Sequence, residues 1–332
     1  MKTRPLQATL APSQRWLILF SLGRQIVPTV SILQRRSVIR SLWKLDALLV
    51  VSVTLLFTAA PLIPRSAAIG AASGTAVLAV LAWYKRCPAA APFSTFCVIC
   101  LGLALSGVLY FQVVLALGLL CYAAVVRGVP WLRGTVTWAR WGSFDATVGF
   151  LSVAVWLLAA AALLSWYLLL HPNIADIVEA FVPALPLGLL IAGGLIFSMV
   201  NAAVEEGAYR GVILHALDSS LGPGFAALLL QAVAFGAIHI RGFPRGLLGV
   251  GLACIYGLLM GVIRRRAGGM FAPWIAHVFT DVVIAGIILF LARPNQAMQR
   301  TAGRSAFQLS MTSTFNPQPR SLSPAVADLV SR

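Results

Sequence analysis

Eight apolar stretches dominate the chain, at about 47–63, 66–83, 93–126, 146–170, 187–216, 223–240, 247–263 and 274–291. Roughly 20 apolar residues suffice for one membrane crossing, so the third stretch is long enough for two. If 93–126 is a helical hairpin turning near Gly107 to Tyr110, the chain crosses nine times; if it is one long tilted helix, eight. The predicted fold is therefore all-α, a polytopic transmembrane helical bundle of eight or nine spans. A composition of 60% hydrophobic and only 10% charged residues over 332 positions excludes a soluble domain.

The net charge of +16 does not point to nucleic acid, because the arginines sit at the ends of apolar runs and form no single amphipathic face. Anionic lipid headgroups are the expected partners. Residues 1–45 hold Lys2, Arg4, Arg15, Arg24, Arg35, Arg36, Arg40 and Lys44 and no acid, which predicts a basic cytoplasmic N-terminal segment. Within it, Trp16 to Leu22 is too short to span, and no removable signal peptide is expected. Residues 46–180 read as N-terminal transmembrane helices, 187–291 as a catalytic membrane core, and 294–332 as a polar tail that cannot build a core.

With a cytoplasmic N-terminus and nine spans, Lys85, Arg86, Arg127, Arg133, Arg140 and Arg264 to Arg266 fall inside, and Asp176 and Glu179 fall outside. Arg241, Arg245 and the basic tail also fall outside, against the rule. Cys97 and Cys100 form a CxxC spacing, but in an apolar segment such a pair reads as small packing residues. Trp131, Trp138 and Trp141, interleaved with Arg133 and Arg140, read as an interfacial anchor. Gly207 with Gly211, and Gly257 with Gly261, are small-xxx-small pairs suited to close helix approach.

Against this apolar background stand Glu205, Glu206, Arg210, His239, His277 and Asp281. Ionisable groups in a bilayer cost several kcal/mol unless they pair or line a wet cavity, so their concentration marks an active site. Residues four apart return to nearly one face of a helix, which aligns Glu206 with Arg210, Phe235 with His239, and His277 with Asp281. Measured from a turn at Ser220 to Pro223, Glu205 lies ~22 Å up one helix and His239 ~24 Å up the next. That matching height predicts that they face each other as a base and its partner. His277 lies close to the basic end of its helix, which predicts that residues 267–273, with Gly268 and Gly269, dip into the bilayer. Glu206 is expected to pair with Arg210 and leave Glu205 free to accept protons. A buried ion pair that only locks helices together is the bland alternative, but it leaves one glutamate unexplained.

The series Glu205-Glu206-x-x-x-Arg210, Phe235-x-x-x-His239 and His277-x-x-x-Asp281 resembles the CPBP family of intramembrane proteases. That family includes CAAX prenyl endopeptidases and bacteriocin-processing or immunity proteins. The motifs occur in family order and cover roughly 187–291. The resemblance implies peptide-bond hydrolysis in a membrane cavity, on a peptide or lipidated protein substrate. By the same resemblance Glu205 is the general base, His239 holds or polarises the water, and His277 with residue 281 stabilises the oxyanion. Many members carry Asn at the last place; Asp281 must then be protonated, orient His277, or help bind a metal. Two routes fit the spacing: a cofactor-free one using Glu205 and His239 directly, which is favoured, and one with a divalent metal such as zinc on Glu205, His239 and His277. The expected setting is a bacterial inner membrane. The competing classes are a proton- or ion-coupled transporter and a non-catalytic immunity or scaffold protein.

Overall fold

The computed structural model describes residues 32–183 and 185–290. Most of the basic N-terminal segment and all of the polar tail lie outside the described residues. Among the described residues there is no strand. The main helices are α1 (Ile32–Ala59), α2 (Arg65–Tyr84), α3 (Ala90–Ser106), α4 (Phe111–Gly128), α5 (Ala146–Leu170), the short α6 (Ala175–Phe181) and α7 (Leu187–Leu221). They continue with α8 (Phe225–Ile240), α9 (Gly246–Ala267) and α10 (Phe271–Phe290). Seven of these are long and apolar enough to cross a membrane, and α3 and α8 are shorter apolar helices. The protein is an all-α integral membrane bundle.

The stretch 93–126 is a helical hairpin. Helix α3 ends where Gly107 turns left-handed at φ 69°, its N–H bonding to the Ala104 carbonyl, and α4 starts at Phe111. A left-handed residue without a Cβ ends the helix at little steric cost. The first helix starts earlier than its apolar stretch: α1 begins at Ile32, so Arg35, Arg36, Arg40 and Lys44 ride on it. Lysine and arginine are good helix formers, and no glycine or proline interrupts 32–59.

The largest core gathers Leu49, Val53 and Phe57 of α1, Phe93 and Phe96 of α3, Leu115 of α4, and Val212, Ile213 and Leu217 of α7. A second cluster joins Val148 and Val155 of α5 to Met260 and Ile263 of α9 and Ala276 of α10. Cys97 and Cys100 lie in the first core as free thiols, and a Cβ on Gly118 would come within 2.5 Å of the Cys100 sulfur. The CxxC pair is thus packing material. Outward-facing side chains such as Val80, Phe150, Leu157, Val200 and Ile255 remain exposed, as suits a surface solvated by lipid.

Two further devices fix the frame around α7 and α10. Helix α9 packs closely on α8 because a Cβ at Gly257 would sit 3.2 Å from the Ala232 Cα, and one at Gly261 would sit 2.7 Å from a Leu228 methyl. The turn between α9 and α10 is held from the side by residues 140–143. Ser143 N–H donates to the Ala267 carbonyl at 2.8 Å, Met270 N–H to Arg140 at 2.8 Å, and Phe271 N–H to Trp141 at 3.1 Å. Gly142 adopts φ 82°, and a Cβ there would lie 2.5 Å from the Gly269 nitrogen. Residues 267 and 271–273 are helical, so the dipping loop expected over 267–273 reduces to a three-residue turn, Gly268 to Met270. The described residues of Asn173–Gly193 and of 285–290 form a separate compact unit, which holds α6, the first turns of α7 and the end of α10.

Candidate active site

Helix α7 is α-helical through Glu206, becomes a π-helix over Gly207–Ile213, and resumes as an α-helix at Leu214. π-Segments are rare and occur most often at functional sites. Here the widened turn is flanked by glycines that admit bulky neighbours. A Cβ on Gly207 would meet a Leu119 methyl at 3.0 Å, and one on Gly211 would meet the Trp138 ring at 2.8 Å. The first small-residue pair therefore receives side chains, whereas the Gly257 and Gly261 pair receives a helix.

Adjacent residues on an α-helix diverge by about 100°, so Glu205 and Glu206 point in different directions. His277 from α10 reaches both. Its Nδ1 lies 2.7 Å from Glu206 Oε1, and its Nε2 lies 3.7 Å from Glu205 Oε2 and 3.6 Å from Asp281 Oδ1. Whichever ring nitrogen carries a proton has a carboxylate in front of it. Arg210 donates from Nη1 to the same Glu206 Oε1 at 2.9 Å, one turn along α7, and its guanidinium lies 4.3 Å over the Phe235 ring. The expected Glu206–Arg210 pair is present. Both residues are 1% exposed. Buried and paired in this way, Glu206 has one oxygen committed to two donors, while Glu205 makes no hydrogen bond among the described residues.

His239 closes α8 in a 3₁₀ turn, Ile238–Ile240. Its Nδ1 lies 3.0 Å from the Phe235 carbonyl, which can only accept, so Nδ1 carries the proton and Nε2 keeps its lone pair. No hydrogen bond or ion pair joins His239 to Glu205 among the described residues; the glutamate's polar neighbour is His277. Phe235 connects the two histidines: its ring centroid lies 4.9 Å from that of His239 and 6.1 Å from that of His277. The equal depth inferred by counting residues along the hairpin gave no azimuth, and the azimuth gives Glu205 to α10.

The sequence reading passed over Asn201 and Tyr256. Asn201, one turn before Glu205, donates from Nδ2 to Asp281 Oδ2 at 2.9 Å. Tyr256 of α9 packs edge-on to His277 at 5.5 Å and donates to Thr280 Oγ1 at 3.2 Å. The spacing Asn201-x-x-x-Glu205 is a visible signal, since it puts an amide on the glutamate's face. Nothing local marks Tyr256. Several buried polar atoms here find no protein partner: Glu206 Oε2, Arg210 Nε and Nη2, Asn201 Oδ1 and the Tyr209 hydroxyl. Such groups concentrate where a ligand or solvent is received.

A cluster of two carboxylates, two imidazoles and a further acid, buried except for the part-buried His239 and held by three apolar helices, gives this integral membrane protein groups suited to acid–base chemistry. Residues 188–283 match the family model of the Rce1-like proteins, described as Type II CAAX prenyl endopeptidase Rce1-like, and this supports membership of the CPBP family. The matched region is less than half the chain and holds every one of these residues. No curated protein and no solved structure matches the chain.

Proposed function

We propose that the protein is an intramembrane endopeptidase that cleaves a membrane-associated peptide or lipidated protein, with Glu205 as the general base. The observation that carries this reading is the unequal use of the two glutamates: Glu206 is consumed by Arg210 and His277, and Glu205 is left without a hydrogen bond. Water attacks the scissile carbonyl carbon as its proton passes to Glu205. His239 offers its Nε2 lone pair to the same water. The oxyanion that forms takes a hydrogen bond from His277 Nε2–H, which lies beyond hydrogen-bond distance of both Glu205 and Asp281 and so is not committed to either. Glu205 then returns the proton to the leaving amine as the C–N bond breaks, giving a carboxylic acid and an amine, the acid's proton then passing to the amine or to solvent. Asp281 faces the same nitrogen from 3.6 Å and supplies negative charge beside the ring in this scheme.

A divalent metal such as zinc would have to use Glu205, His239 and His277. Among the described residues no three His, Cys, Asp or Glu side chains are gathered as a metal-binding group. The two imidazole Nδ1 atoms are engaged by Phe235 and Glu206. Each ring would have only Nε2 to offer a metal, and the proposed route passes no step through one. A CAAX-type C-terminal peptide carrying a prenyl group is the substrate class that the family description favours. A bacterial inner membrane is the proposed setting.

The test compares purified wild type with Glu205→Gln in detergent on a prenylated C-terminal peptide and a membrane-peptide library, with and without a chelator. Cleavage that the substitution removes and the chelator spares is the expected result. Equal cleavage by both proteins overturns the assignment of the base, and loss of cleavage on chelation overturns the metal-free route.

A further inference from the structure

Asn201 lies outside the three motifs, yet it is built into the site. It is 7% exposed, one turn before Glu205 on α7, and Asp281 is one turn after His277 on α10. The four side chains form two rungs between antiparallel runs: Asn201 with Asp281 at 2.9 Å, and Glu205 with His277 at 3.7 Å. The orientation of the amide is fixed by chemistry, since a carboxylate oxygen needs a donor and only the NH2 end supplies one.

Building on the peptidase reading, we propose that Asn201 is a positioning residue that holds Asp281 as an acceptor facing His277, so that amide and carboxylate work as one unit.

The physical reason is charge crowding. Asp281 is 6% exposed and shares its surroundings with Glu205 and Glu206, so an unsupported carboxylate there would turn or take up a proton. The amide N–H at Oδ2 secures that oxygen and leaves Oδ1 directed at His277 Nε2, 3.6 Å away. The imidazole is then hydrogen-bonded by Glu206 at Nδ1 and faced, without a hydrogen bond, by the Asp281–Asn201 unit at Nε2. The other groups around the ring are Glu205 and Arg210 from α7, His239 from α8 and the Tyr256 ring from α9. None of them contacts Asp281 Oδ2 by hydrogen bond.

The roles of the two partners are interchangeable in principle, which gives a sharp test. Wild type, Asn201→Asp, Asn201→Leu and the exchange Asn201→Asp with Asp281→Asn are purified in detergent. Three quantities are measured: kcat and KM on the prenylated peptide, thermal unfolding, and the 15N resonances of the histidine rings, of which there are four in the chain. Asn201→Asp, which sets carboxylate against carboxylate, is expected to lower kcat about 100-fold with little change in KM, the effect of a misplaced reacting group. The exchange, which restores one amide and one carboxylate, is expected to recover kcat to within about tenfold of wild type. No loss in the single variant, or a loss that the exchange does not relieve, overturns the proposal. So does a loss of activity accounted for entirely by unfolded protein. If wild type cleaves nothing that Glu205→Gln abolishes, the peptidase reading fails by itself. The positioning role is then decided by the His277 resonances, which must change in Asn201→Leu and return toward wild type in the exchange.

Discussion

In helices α1 to α5, buried polar side chains are satisfied mostly at home. Thr54, Thr75 and Ser152 each donate at 2.8 Å to the carbonyl four residues earlier in their own helix. The one buried acid there, Asp46, accepts the N–H groups of Ala89 and Ala90 at 3.3 and 2.8 Å and so caps α3 from across the bundle. In α7 and α10, Ser198 and Thr280 are satisfied in the same local way and Arg210 pairs with Glu206 on its own helix, but the other site residues meet side chains on another helix: Asn201 with Asp281, Glu206 with His277, Glu205 beside His277. The first arrangement satisfies hydroxyls and a helix terminus at small cost. The second keeps paired charge inside the bundle, which costs far more to bury than a hydroxyl. Both regions fold in the same apolar setting, so the contrast separates polarity used for building from the ionisable cluster to which the proposed chemistry is assigned.

Substitutions on the two sides of that contrast should differ in kind. The largest effect is expected at Glu205: Glu205→Gln should lower peptide cleavage by about 1000-fold while thermal unfolding is little changed, since the base is lost and the shape is kept. Arg210→Ala should cost stability as well as activity, about 3–5 kcal/mol in denaturant unfolding, because Glu206 is left charged, buried and short of a donor. Arg210→Lys should regain part of that stability but little activity, as an ammonium lacks the flat face that lies over Phe235.

A smaller effect is expected where backbone meets backbone. Gly142→Ala should destabilise by about 1–3 kcal/mol, because a Cβ enters the turn that starts α10. It should also lower kcat, since His277 rides on that helix two turns later. On the architectural side, Asp46→Ala should remove the α3 cap at a cost of about 1 kcal/mol and leave the specific activity of folded protein unchanged. A large loss of specific activity in Asp46→Ala would break the contrast between the two regions; an unchanged kcat in Gly142→Ala would show that the α9–α10 turn tolerates displacement.

Much of the architecture was legible in the residues. The apolar stretches predicted the helices but left 93–126 as a hairpin or one long span, and the left-handed turn at Gly107 makes it a hairpin. The Glu206–Arg210 pair followed from helical spacing and is present, even though Arg210 lies in a π-segment that no spacing rule foresaw. Less legible was anything that depends on the angle between helices. Equal height along a hairpin placed His239 opposite Glu205, but the 3₁₀ turn at Ile238–Ile240 hands the ring's Nδ1 proton to the Phe235 carbonyl, and Glu205 approaches His277. The dipping loop was inferred from the need to bring His277 to the glutamates. The structure meets that need with a short turn bound to residues 140–143, more than a hundred positions away in the chain.

By itself the sequence determined that the chain is a helical membrane protein and that its clustered ionisable residues lie on α7, α8 and α10. Hydrophobicity and the residue-by-residue rotation of a helix are local properties, written in consecutive side chains. Only the tertiary structure decided which carboxylate His277 binds, which is left free, and that Asn201 stands behind Asp281. Those contacts depend on how helices are rotated about their axes when glycine-permitted approaches and the 140–143 clamp set their packing, and no spacing along one helix encodes that rotation.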